Sequence, residues 1–297
     1  MLYSVMKYIV PFGAAFVIGP IACWFTIRLT GLDGGNQASL LMSAAPIQGI
    51  IAALVAFALA TAWGSLGAFT IGNRSGLFAA GLVLAWAAWG TGRSDWIIER
   101  VMNGGLAGSP LATFAVEGVL VGALGIIAAI IITRVPTMRS AQPESRDPEH
   151  AHHHLPHEPT ALFDATLPVA LAAALIAGAL VVWIVAQETL KGQTFAAAAI
   201  AGVAACAAGR VASQRISGAV FIAALAVLCA AGPAIAMLIH SNPEGAVLAA
   251  QKGKLFALAR PLPLDYMAGA FVGAPLGLAW AGSMIEKHQP HAAPAKK

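Results

Sequence analysis

Residues 110–134, PLATFAVEGVLVGALGIIAAIIITR, are echoed by residues 261–285, PLPLDYMAGAFVGAPLGLAWAGSMI. Over the first fourteen positions the two stretches share six residues without a gap: Pro110 and Pro261, Leu111 and Leu262, Gly118 and Gly269, Val121 and Val272, Gly122 and Gly273, Ala123 and Ala274. Each copy is apolar for long enough to cross a hydrocarbon core of about 30 Å as a helix rising roughly 1.5 Å per residue. They therefore read as corresponding membrane helices of a duplicated chain.

Composition supports this reading. Of 297 residues, 59% are apolar and 10% charged, with mean hydropathy +0.78, against roughly 25% charged in soluble domains. Eight stretches suit transmembrane helices: near Tyr8 to Ile27, Ile47 to Leu66, Ser75 to Gly90, Leu111 to Ile132, Thr166 to Ala186, Thr194 to Gly209, Ser217 to Leu238 and Leu262 to Ile285. Main-chain polar groups in lipid must be paired, and no barrel-like alternation is present, so an all-α integral membrane protein is expected.

Further matches extend the duplication. Pro11 corresponds to Pro168, Gln48 and Gly64 to Gln193 and Gly209 at one offset, and Arg74-Ser75-Gly76 to Arg215-Ile216-Ser217-Gly218 across a short gap. Four spans per copy is an even number, so both copies enter the membrane in the same sense. The expected architecture is two parallel four-helix repeats with pseudo-two-fold symmetry along the membrane normal. The divisions are 1–139, a linker 140–164, 165–287 and a tail 288–297. With the amino terminus inside, ten of the seventeen Lys and Arg residues fall on the inner side. This places both termini in the cytoplasm, in a bacterial inner membrane, and ties the net charge of +4 to topology and not to nucleic acid.

The start resembles a signal peptide in having Lys7 before an apolar run, with Pro20-Ile21-Ala22-Cys23 as a lipoprotein-like site. The run continues past Cys23, which favours a span instead. Cys23, Cys206 and Cys229 lie within spans and read as packing residues. In each half a short helix is expected between the third and fourth spans. One starts at the N-cap residue Ser94; the other starts at Asn242-Pro243-Glu244 and stops at Gly253. Gly118 and Gly122, with Gly269, Gly273 and Gly277, lie one helical turn apart, which places spans four and eight at or near the interface between halves. Pro233 and Pro275 interrupt the hydrogen-bond ladders of spans seven and eight.

The linker carries Pro143, Pro148, Pro156 and Pro159 together with His150, His152, His153, His154 and His157. Imidazoles at this density, beside Glu149 and Glu158, have the chemistry to collect Zn, Ni or Cu ions. A hydrated tether is the alternative. No other cofactor is expected.

Glu117 is the acidic residue deepest within a span, a position that is functional by default unless its charge is paired or wetted. It reads either as a proton- or cation-handling group, or as a carboxylate paired with Arg93 or Arg100 near the outer surface. Asp265 stands three residues into span eight, in register with Phe114 and not with Glu117. Both acids can converge on one outward-facing site, with Arg100, Arg260, Gln48 and Gln193 as further lining. Trp24, Trp86, Trp89 and Trp96 read as interfacial anchors.

No phosphate-binding loop, zinc-protease motif, nucleophile elbow or haem-ligating histidine pair is present, so enzymatic activity is not expected. The leading expectation is a permease for a small solute or ion with its site between the repeats. The alternative is a non-catalytic subunit or scaffold of a larger membrane complex, with a protein partner or a second copy of itself. A lipid-directed enzyme ranks third.

Overall fold

The computed structural model describes residues 2–103, 109–138, 161–240 and 242–288. The protein is an all-α polytopic membrane bundle: among the described residues, eight stretches are long and apolar enough to cross a membrane. The first crossing joins α1 (Leu2–Gly13), a π-helical turn (Ala14–Ile18) and α2 (Gly19–Thr26). The others are α3 (Pro46–Thr70), α4 (Asn73–Trp89), α6 (Pro110–Arg134), α7 (Leu167–Val185), α8 (Lys191–Ala212), α9 (Gly218–His240) and α11 (Pro263–His288). Two short helices, α5 (Ser94–Asn103) and α10 (Pro243–Gln251), lie at one end of the bundle and pack on each other.

Local chemistry sets many of these boundaries. Pro46, Pro110, Pro168 and Pro263 occupy first-turn positions, where a missing N–H costs nothing. Asn242 caps α10 by accepting from Gly245 N at 2.6 Å. Beyond its end, Gly253 turns the chain at φ 64°. The sixth span is longer than its sequence suggests: α8 begins at Lys191 rather than near Thr194 and ends at Ala212. The charges of Lys191 and Arg210 shorten the apolar window, but both side chains fold into protein, so the helix runs through them.

Span α11 is central. It packs along α8 and α4 and also touches α9 and α6, and every residue from Pro261 to Phe271 is buried. Its most extensive contacts are with α8, whereas those of α6 are with α9. Small residues allow these approaches. A Cβ on Gly118 would overlap the Cys229 carbonyl of α9, and Gly122 sits against Ala226. Gly269, Gly273 and Gly277 meet Ala198, Ala199 and Val203 of α8, while Gly81 of α4 receives Phe271 and Val272. Spans four and eight thus both touch helices from the other side of the linker. The glycine face of α11, however, is turned to α8, within the last four spans. The cysteines are buried free thiols.

At the α5/α10 end a second apolar cluster, including Met42, Ile98, Leu111, Phe114, Ala246 and Leu262, stands apart from the main core. Residues 27–45, which join α2 to α3, reach this junction. Bridges pair Thr30 with Asn36 and Gly31 with Ser43, and Gln37 turns the chain at φ 66°. Ala38, Ser39, Leu40, Met42 and Ser43 are then buried. The carbonyl of Leu40 is seated so closely on Gly49 that a Cβ there has no room. The connection from α7 to α8, by contrast, is only residues 186–190.

Candidate functional site

Two carboxylates are buried at the α5/α10 end, and the α2–α3 connection reaches the first of them. Glu117, on the eighth position of α6, is 1% exposed. Its Oε2 accepts from Leu41 N at 3.0 Å, and the Ser39 hydroxyl and the Leu40 amide face the same carboxylate. Its Oε1 is buried and meets no hydrogen-bond donor among the described residues. The proposed partners are engaged elsewhere. Arg93 pairs with Asp95 at 2.6 Å, and Arg100 with Asp33 at 3.3 Å. The reading of Glu117 as a carboxylate paired with either arginine is therefore corrected: main-chain amides of the 38–43 segment hold it.

Asp265 is also 1% exposed. As the third residue of α11 it reaches back to accept from Leu262 N at 3.1 Å, the acid arm of a capping box. The same Oδ2 accepts from Thr194 Oγ1 at 3.2 Å, and Oδ1 forms an ion pair with Lys191 Nζ at 2.7 Å. Lys191 also donates to Thr91 Oγ1 at 2.8 Å and to the Gly92 carbonyl at 3.3 Å. One ammonium thus ties α8, α11 and the turn after α4 together. Both carboxylates lie within electrostatic range of the Cys229 thiol, which points at the Pro263 carbonyl 3.6 Å away.

The other expected lining residues serve elsewhere. Arg100 donates to the Asn36 carbonyl at 2.7 Å, besides pairing with Asp33, and so fixes residues 33–36. Gln48 is exposed on the first turn of α3. Gln193 accepts from Glu188 N at 2.9 Å and donates to the Val185 carbonyl at 3.1 Å, closing the α7–α8 turn. Arg260 donates to the carbonyls of Leu255, Ala186, Gln187 and Gly253. Burial holds its guanidinium below the ordinary arginine value. The structure brings Glu117 and Asp265 to one end of the bundle but does not gather Arg100, Gln48 and Gln193 around them.

Lys191, Thr194 and the Ser39–Leu41 segment are the site groups that the sequence left unmarked. A lysine at the start of an apolar stretch reads as an interfacial side chain that keeps its head in water. Only the fold turns it inward. Beside Lys191 and Asp265 lies a cleft of about 190 Å³, walled by Ala85, Ala88, Trp89 and Phe195. The tryptophans named as anchors, Trp24, Trp86, Trp89 and Trp96, are exposed, with Arg28 stacked on Trp24 at 3.6 Å and Arg93 over Trp96 at 4.6 Å.

The histidines at 150, 152, 153, 154 and 157 lie outside the described residues. Among the described residues no three His, Cys, Asp or Glu side chains gather in a way that suits a metal ion. No protein-family description, curated protein or solved structure matches this chain, so its chemistry is read from its own geometry.

Proposed function

We propose that this polytopic membrane protein is a permease for a small solute or ion, with Glu117 and Asp265 as the polar groups of its pathway. The observation that carries the reading is the burial of two carboxylates, on α6 and α11, in membrane-spanning helices. Ionisable groups there are costly and mark pathways or relays. The ten-to-seven split of Lys and Arg favours the α5/α10 end outside, with both termini in the cytoplasm. In this orientation the outer end is closed: Lys191 binds Thr91 and Gly92, Arg93 donates to Thr189 Oγ1 at 3.2 Å, and Ser94 donates to the Arg260 carbonyl at 2.8 Å.

Two parallel four-helix repeats, 1–139 and 165–287, are part of this proposal. Supporting them, span four packs on span seven while span eight packs on span three, a pairing that survives exchange of the halves. Gln48 and Gln193 are each the third residue of their helices. Gly64 meets α4 and Gly209 meets α9, again equivalent neighbours. Rocking of such halves about a shared site is a known transport geometry.

The test is thermal stability in detergent across a panel of ions and small solutes, for wild type, Glu117→Gln and Asp265→Asn. A ligand at about 100 times its Kd stabilises by about 2.7 kcal/mol, and both variants are expected to lose that gain. Uniform silence across the panel, with Glu117→Gln as stable as wild type, overturns the site.

A second reading, a non-catalytic membrane subunit, is favoured by one observation. The cleft of about 190 Å³ is smaller than the roughly 300–1,000 Å³ typical of ligand sites. Co-purification of a stoichiometric partner with no reconstituted flux moves the assignment there; flux that neither carboxylate substitution alters keeps transport and overturns the site.

A further inference from the structure

We propose that Glu117 is a proton-binding site that latches residues 38–43 as a lid over the outer end of the bundle, and that protonation releases the lid. The inference rests on the reading of Glu117 as a pathway group. It adds the identity of the ion that acts there and the element that responds.

The two oxygens of Glu117 are unequal. Oε2 takes the Leu41 amide at 3.0 Å, so the latch is a charge-assisted hydrogen bond to the lid's main chain. Oε1 is buried with no donor among the described residues, which leaves it as the oxygen that takes the proton. The new O–H then needs an acceptor. One stands beside the adjacent residue: the Cys229 carbonyl, which lies against Gly118. The residue four positions on in α9 is Pro233, which has no N–H to offer that carbonyl. Protonation therefore weakens the hold on Leu41, because a neutral acceptor binds an amide roughly half as strongly as a carboxylate. It also gives Glu117 a reason to turn toward α9.

The surroundings leave Glu117 as the switch. The charged and titratable groups that act on it are Lys191 of α8 and the Cys229 thiol of α9, with the uncharged Ser39 hydroxyl from the lid; Asp265 of α11 acts on the same thiol. Lys191 and Asp265 neutralise each other at 2.7 Å. Glu117 has no cation of its own at that range, only the lid.

The lid is built to seat and to lift. It is an irregular segment held by side-chain and main-chain contacts, with Leu40 on Gly49 and Met42 in the outer apolar cluster. The last four spans have no counterpart, since residues 186–190 are too short to fold inward. There Lys191, at the start of the sixth span, serves as counter-charge to the carboxylate on the eighth.

The experiment is hydrogen–deuterium exchange by mass spectrometry on the full chain in detergent, from pH 8 to pH 5. Rates are corrected for intrinsic chemistry, and peptides covering 38–43 are compared between wild type and Glu117→Gln. Wild type is expected to exchange slowly at pH 8 and at least ten-fold faster at pH 5. Glu117→Gln is expected to be fast at both, with no remaining pH dependence. Unchanged protection in α8 and α11 peptides shows that the variant is folded; if it is not, the wild-type pH series decides alone. Protection of 38–43 that ignores pH in wild type overturns the proposal, whether or not Glu117→Gln opens the lid. Because the readout needs no substrate, proton-driven opening stands or falls separately from transport.

Discussion

Lys191 and Asp265 meet at 2.7 Å although one opens α8 and the other lies in the first turn of α11, and their side chains are 13% and 2% exposed. The pair is satisfied on both sides, by Thr91 and Gly92 around the ammonium and by Thr194 and Leu262 around the carboxylate. Desolvation of two charges opposes their attraction, so such pairs add little net stability. Each member nonetheless depends on the other.

Removing one partner is therefore expected to cost more than removing both. Lys191→Met should lower unfolding free energy by about 3–5 kcal/mol, leaving Asp265 uncompensated. Lys191→Met with Asp265→Asn should recover at least half of that loss. A double-mutant cycle by denaturant titration in mixed micelles measures the coupling, and additive losses would refute a shared pair.

Glycines separate into those that seat a helix and those that do not. Gly118→Ala must push against the Cys229 main chain and is expected to destabilise by about 1–3 kcal/mol. Gly282, in α11, has nothing within 4 Å of an added Cβ. Gly282→Ala is expected to be neutral or to stabilise by up to about 1 kcal/mol, through helix propensity. Melting temperatures of the two variants, measured side by side, check the contrast.

Trp63 donates its indole N–H to the Val10 carbonyl at 2.8 Å, just before the π-helical turn. Trp63→Phe keeps most of the ring but removes the donor, an expected loss of about 0.5–1.5 kcal/mol. A melting temperature equal to wild type would show that the carbonyl finds another donor.

Arg260 clamps the α7–α8 connection and the segment after α10 through four carbonyls. A lysine cannot span that set, because an ammonium lacks the planar fork. Arg260→Lys is expected to behave like Arg260→Ala, with faster limited proteolysis between residues 186 and 190 and between 252 and 262. Wild-type cleavage rates in Arg260→Lys would show that charge alone suffices.

The membrane helices were legible because hydropathy over twenty residues is a strong, local signal. Pro110, Asn242 and Gly253 marked ends correctly, because caps and breakers act within one turn. Glu117 and Asp265 stood out because a carboxylate in an apolar run is conspicuous. Their partners were not legible. Leu41 contributes only a main-chain amide, which any residue has, and Lys191 looks like an ordinary boundary lysine until α11 is placed beside it. Arg100 misled for the opposite reason: a charge at the right height finds whichever acid the loop brings, here Asp33. The inward course of residues 38–43 carries no periodicity at all, and contacts distant in sequence, the fit of Leu40 onto Gly49 and of Leu41 onto Glu117, give it shape.

The sequence separation of the carboxylate contacts determines what each acid meets when it is made. Leu41 waits 76 residues for Glu117, and Thr194 waits 71 for Asp265. Each acid arrives on a later span, after the groups that will hold it have been made. Until α6 is made, residues 38–43 have no anion to gather around; until α11 is made, the Lys191 ammonium has only Thr91 and Gly92 to bind. Neither carboxylate then needs to enter lipid alone, since a partner is already in place to receive it.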